Sequence, residues 1–152
     1  MPQRTAFCQP STAIEKRGEN INFFGVKNIM KTVETKNAPA AIGPYSQAKI
    51  CGGLVFASGQ IPVNPASGNI ECADVAGQTE QVCKNVAALL EAAGSSMDKV
   101  VKTVCFLADI ADFAAFNAVY EKYFTSRPAR SCVAVKDIPK GALVEVECIA
   151  EI

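Results

Sequence analysis

Asp74-Val75-Ala76-Gly77-Gln78-Thr79-Glu80-Gln81-Val82-Cys83-Lys84-Asn85-Val86-Ala87-Ala88-Leu89-Leu90-Glu91-Ala92-Ala93-Gly94 reads as an amphipathic helix with its own start and stop. The Asp74 carboxylate can accept from the free N–H groups of a first turn. Val75, Val82, Val86, Leu89, Leu90 and Ala93 recur at three- and four-residue spacing, which gathers them on one face. Gly94 supplies the left-handed residue that commonly ends a helix. The spacing predicts a helix over roughly 75–93.

On either side the period changes. Val100 to Leu107 is β-branched and aromatic enough for a buried strand, and Asp112 is the expected cap of a second helix with Phe113, Phe116, Tyr120 and Tyr123 on one face. Two strands are expected after it, Ser131 to Val135 and Leu143 to Ile152. Upstream, Gln47 to Cys51 and Leu54 to Ser58 flank Gly52-Gly53, a pair suited to the positive φ angles of a hairpin turn, and Lys31 to Glu34 is a weaker strand. A hairpin, helix, strand, helix and two closing strands make an α+β fold: an antiparallel-dominated sheet with two helices packed on one face. In the last strand Val144, Val146, Cys148, Ala150 and Ile152 alternate with Leu143, Glu145, Glu147, Ile149 and Glu151, so the acids share a face.

With 152 residues, 49% of them hydrophobic, the chain suits one domain with a full core. Fifteen Lys plus Arg balance fifteen Asp plus Glu, leaving no electrostatic footprint for nucleic acid or an anionic membrane. The uncharged run Ile50 to Ile70 is broken by glycines and prolines and is no transmembrane helix. There is no His, which removes the commonest general base and metal ligand, so any catalysis falls to carboxylates, Arg, Tyr, Ser and Cys. The seven cysteines include no CxxC pair, which argues against zinc and thioredoxin-like chemistry and fits a reducing cytosol. Residues 1–29 have mixed polarity, no sustained period and neither a signal-peptide nor a transit-peptide composition, and are expected to be a disordered or loosely docked extension to a domain at 30–152.

The densest chemical signal is Arg127-Pro128-Ala129-Arg130-Ser131-Cys132-Val133. An Arg leading into an apolar strand offers a planar fork for a carboxylate, and equally is an ordinary exposed Arg at a loop-to-strand junction. Cys132 has a cation near it and no base, so a pocket-lining role is favoured over a nucleophilic one. Glu145, Glu147 and Glu151 read as a solvated face, unless a neighbouring protomer or loop desolvates one of them and raises its pKa toward that of a general base. Ser58 ends an apolar strand just before Gly59-Gln60, and Tyr45 is placed either to cap a pocket or simply to pack.

Ala38-Pro39-Ala40-Ala41-Ile42-Gly43-Pro44-Tyr45-Ser46-Gln47, Ala57-Ser58-Gly59-Gln60-Ile61-Pro62 and Pro128-Ala129-Arg130-Ser131-Cys132-Val133, in that order, closely resemble the Rid family of reactive intermediate deaminases. The resemblance spans residues 30–152. It implies a chorismate-mutase-like fold assembled as a homotrimer, with ligand pockets at the subunit interfaces. It also implies hydrolysis of 2-imino acids to 2-keto acids and ammonia, without cofactor or metal. By the same resemblance Arg130 matches the carboxylate-binding arginine and Glu145 the acid that positions or activates water. Tyr45, Ser58, Gly59, Asn117, Ser131 and Cys132 match pocket positions. Phe124-Thr125-Ser126-Arg127 departs from the pattern, being shorter than in many members and carrying Arg127 where an aromatic is common. A non-enzymatic small-carboxylate binder that regulates a partner would use the same Arg130. Ribonuclease or translation-inhibitor activity, also associated with the family, fits poorly with zero net charge and no His.

Overall fold

The computed structural model describes residues 30–152, and the expectation for residues 1–29 lies outside them. The described residues form β1 (Lys31–Val33), β2 (Ala48–Cys51), β3 (Leu54–Gln60), α1 (Val75–Ala92), β4 (Val100–Leu107), α2 (Phe113–Tyr123), β5 (Ala129–Ala134) and β6 (Val144–Glu151), with short 3-10 turns between some of them. One six-stranded sheet runs in the order β1-β2-β3-β6-β4-β5. Every pairing is antiparallel except β4 with β5, which is parallel because α2 carries the chain back over the sheet between them. No helix of the described residues is long and apolar enough to cross a membrane.

Local chemistry sets the elements as expected in most places. Gly52 and Gly53 turn the β2–β3 hairpin at φ 61° and 81°. The Asp74 carboxylate accepts from the Gly77 N–H at 2.9 Å, and Gly94 leaves α1 at φ 80°. At α2 the expectation fails. Asp112 lies in helical backbone and makes no capping bond, whereas Asp109 accepts from the Ala111 N–H at 2.9 Å and starts a 3-10 turn that runs into the helix. Asp109 and Asp112 are three apart, so one turn of extra helix moves the cap from one to the other. Ile152 falls beyond β6 and is exposed instead of continuing the face of Val144.

The core lies between one sheet face and both helices. Val82, Val86, Leu89 and Leu90 of α1 and Phe116 of α2 meet Val55, Cys105, Leu107, Val144, Val146 and Ala150 of the sheet, all fully buried. Among the described residues no helix covers the opposite face. On it Phe56 and Val133 are exposed beside Lys102, Glu145 and Glu147, so the sheet presents an uncovered surface of mixed apolar and charged character.

Candidate functional site

Arg130 enters the site from β5, where it pairs with Thr103 on the helix-covered side of the sheet. Thr103 is buried there and shares a 2.7 Å hydrogen bond with Tyr120 Oη, which fixes the α2 aromatics beneath the arginine. The guanidinium carbon lies 4.8 Å from the Tyr120 ring centre, 5.5 Å from that of Phe113 and 5.8 Å from that of Phe116. Its Nη1 donates to Asn117 Oδ1 at 2.7 Å. An aromatic bed and one amide hold the guanidinium in place, and its remaining N–H groups have no side-chain partner among the described residues. Arg130 therefore leaves the bland reading of an unconstrained surface arginine. The sequence puts Phe113, Phe116 and Tyr120 on one face of α2, as expected, but gives no sign that this face is the bed of Arg130.

Cys132 sits on the same side of β5, paired with Cys105. Burial pushes its thiol above the ordinary range, and nearby Arg130 offsets this only in part. It is a protonated thiol at neutral pH, which favours lining over attack. Ser131 faces the other way, where its Oγ accepts from Lys102 Nζ at 3.0 Å.

Glu145 lies on the uncovered face. Along β6 its neighbours Val144 and Val146 are fully buried toward the helices, so the alternation turns Glu145 outward. It is half-buried, and desolvation, helped by the charge of Glu147, raises its pKa above the usual carboxylate value. Gly59 makes room for it: a Cβ on Gly59 would stand 1.8 Å from Glu145 Oε1 and 2.8 Å from its Cδ. The β3–β6 register shifts between Ala57 and Gln60, so Ser58 and Gly59 bulge beside the acid. Ser58 Oγ donates to the Ser46 carbonyl at 2.7 Å and so ties the preceding loop to β3, a bond that occupies its proton. Gln47 clamps that loop. Its Nε2 donates to the carbonyls of Thr35, Ala38 and Pro39, and its Oε1 accepts from the Thr35 N–H. The clamp, which the sequence reading did not single out, presents Tyr45 with its side chain exposed.

The predicted residues thus fall into two groups. Tyr45 and Gly59, the glycine that Glu145 approaches, line a cavity of about 230 Å³, and Arg130, Tyr120 and Pro128 line another of about 660 Å³. The two cavities share no lining residue. Glu145 pairs through Phe106 with Val133, so Arg130 is two strands away, three residues along β5 and on the opposite side of the sheet. At ordinary strand spacing that is about 10 Å across the sheet before the change of face is counted. One protomer does not bring the guanidinium and the carboxylate onto one small molecule.

Gly59→Ala tests the close approach. The clash falls on the end of a flexible side chain, so the fold should survive while the carboxylate is displaced, and a displacement near 1 Å would lower any turnover that depends on Glu145 about a hundredfold. Thermal denaturation and steady-state kinetics on the same sample check both halves of this expectation.

The profile of the family described as Endoribonuclease L-PSP matches residues 35–152. A Lactococcus lactis protein that carries a provisional regulator name, AldR, is 54% identical over 124 residues, covering 81% of this chain and 98% of its own. The 2-iminobutanoate/2-iminopropanoate deaminase of Escherichia coli K12 is 51% identical over 124 residues, 79% of this chain and 96% of that one. Among solved structures, the Rid-family protein YyfA of Yersinia pestis superposes with a TM-score of 0.79 at 49% identity, covering 82% of this chain and all of that one. These matches span almost the whole described fold, and the chain belongs to the Rid, or Endoribonuclease L-PSP, family.

Proposed function

We propose that the protein hydrolyses 2-imino acids to 2-keto acids and ammonia, at sites assembled between the protomers of a homotrimer from the Arg130 half of one and the Glu145 half of the next. The observation that carries this reading is the separation of the two halves onto opposite sides of one sheet. Each half has the features of a site, and each lacks its complement. A head-to-tail ring joins unlike surfaces and completes every site by the same contact, and it would also cover exposed Phe56 and Val133.

In this arrangement Arg130 holds the substrate carboxylate with the N–H groups that Asn117 leaves unused. The bound imine is protonated, so its C=N carbon is already electrophilic and needs only an oriented water. Glu145 takes a proton from that water as the C–O bond forms. It returns the proton to the nitrogen of the carbinolamine so formed, and as the C–N bond breaks and the C=O bond forms the hydroxyl proton passes to the Glu145 carboxylate and leaves with the ammonia as ammonium, releasing a 2-keto acid. The chemistry as written uses no metal or cofactor. Tyr45, Gly59 and the backbone at Ser58 wall the water side, and Asn117, Cys132 and the backbone at Ser131 wall the carboxylate side. The deaminase domain in this reading is 30–152 and its setting the reducing cytosol. A coupled assay tests the reading: a serine or threonine dehydratase generates the imine, semicarbazide competes for it, and loss of semicarbazone reports hydrolysis. Light scattering should give a trimer.

The provisional regulator name of the Lactococcus relative favours a second reading, a pocket that binds small carboxylates without turnover. It needs Arg130 and has no use for Glu145, so the two readings part at that residue.

A further inference from the structure

The turn before β5 is unusual in shape and charge. Phe124 is buried and stacks on Tyr120 with ring centres 4.2 Å apart, so the bed under Arg130 continues into the turn. The Arg127 N–H donates to the Phe124 carbonyl at 3.1 Å, and Arg127 itself sits at φ 52°, in the left-handed region that favours glycine. A bulky residue is thus held in strained backbone at the edge of the proposed site. Arg127 and Arg130 line one cavity of about 660 Å³ with Tyr120, Phe124 and Pro128. Glu121 is the acid on its wall, so two arginines and one glutamate line the cavity. Among the described residues neither arginine forms an ion pair. Two positive forks on one open cavity exceed what a single substrate carboxylate uses.

We infer that Arg127 makes this a site for dicarboxylic substrates, 2-imino and 2-oxo acids with a second carboxylate at the end of the side chain. The inference rests on the proposed carboxylate role of Arg130 and adds to it. Arg130 takes the carboxylate next to the reacting carbon and Arg127 the distal one, while the Phe124–Tyr120 stack lies under the carbons between them. Glu121 opposes the second negative charge, which keeps the preference moderate. The reaction class that supplies such substrates is oxidation of an acidic amino acid at its 2-amino group.

Calorimetry on the full chain with 2-oxoglutarate and 2-oxopentanoate isolates the distal carboxylate, since the two share a five-carbon backbone. The unmutated protein should bind 2-oxoglutarate roughly tenfold more tightly, the least expected of one charge-assisted hydrogen bond. Arg127→Gln should abolish that preference and leave 2-oxopentanoate unchanged, and Arg127→Gly, which relaxes the left-handed backbone, should do the same. Glu121→Gln should enlarge the preference severalfold. Equal binding of the two acids by the unmutated protein, or equal weakening of both by the Arg127 variants, overturns the inference and leaves the Arg130 site standing. If Arg130→Lys fails to weaken 2-oxopentanoate, the underlying site reading fails, and the inference with it.

Discussion

Arg130→Lys is expected to lower kcat/KM for imine hydrolysis by about a hundredfold or more, and to weaken 2-oxobutanoate binding in parallel. The substitution keeps the charge and removes the plane. A lysine ammonium cannot offer two parallel N–H groups to a carboxylate, and it loses the contact over the Tyr120 ring that helps fix the guanidinium. A pair of charge-assisted hydrogen bonds is worth about 3 kcal/mol or more, which is the stated hundredfold. Asn117 Oδ1 also loses its partner, so the side chain that remains is less well placed. Calorimetry and the coupled assay on one preparation check the two losses. Unchanged 2-oxobutanoate binding would mean that the carboxylate is held elsewhere.

Glu145→Gln should separate binding from turnover. Glutamine keeps the shape and can still hold a water, but it cannot take a proton, so 2-oxobutanoate binding should survive while turnover falls by about a hundredfold or more. The pH profile carries a second signature. Burial, and then Glu147, raise the Glu145 pKa, so the acid limb of turnover should lie above the ordinary carboxylate range and be missing from the glutamine variant. Stability has the matching sign. A carboxylate with a raised folded pKa contributes stability that is fully present below its unfolded pKa and is lost as pH rises through the folded one. At neutral pH ionised Glu145 therefore opposes folding, and Glu145→Gln should raise Tm at pH 7, with the gain fading below about pH 4.

The sequence made legible whatever depends on near neighbours. The α1 cap at Asp74, its end at Gly94 and the Gly52-Gly53 turn are each decided within a few residues, and each stands as expected. The α2 cap was not decidable in this way, because Asp109 and Asp112 offer equivalent starts and the choice depends on a 3-10 turn packed against the fold. Nor does composition announce that β6 inserts between β3 and β4, a pairing across long stretches of chain. For the proposed site, residue types left Arg130 and Glu145 open and the family resemblance singled them out, while their separation was hidden. Alternation along β6 puts Glu145 opposite Val144, and alternation along β5 puts Arg130 with Cys132. Only the pairing of both strands with β4 relates the two faces and shows that they are opposed. Gly59 was marked only by the resemblance, because the physical reason for a glycine there, the Glu145 carboxylate in the space its Cβ would fill, depends on the β3–β6 pairing.

Mixed assemblies test most directly whether the site is built between protomers. Arg130→Lys and Glu145→Gln chains are unfolded together at equal concentration, refolded and assayed beside each variant alone. In a head-to-tail ring, a site that draws its arginine from one protomer and its glutamate from the next is intact in about a quarter of random contacts, so about a quarter of the unmutated activity should return. If both residues serve the same site within one chain, every site carries one lesion. The mixture would then be as inactive as its parents, and that result would contradict the account.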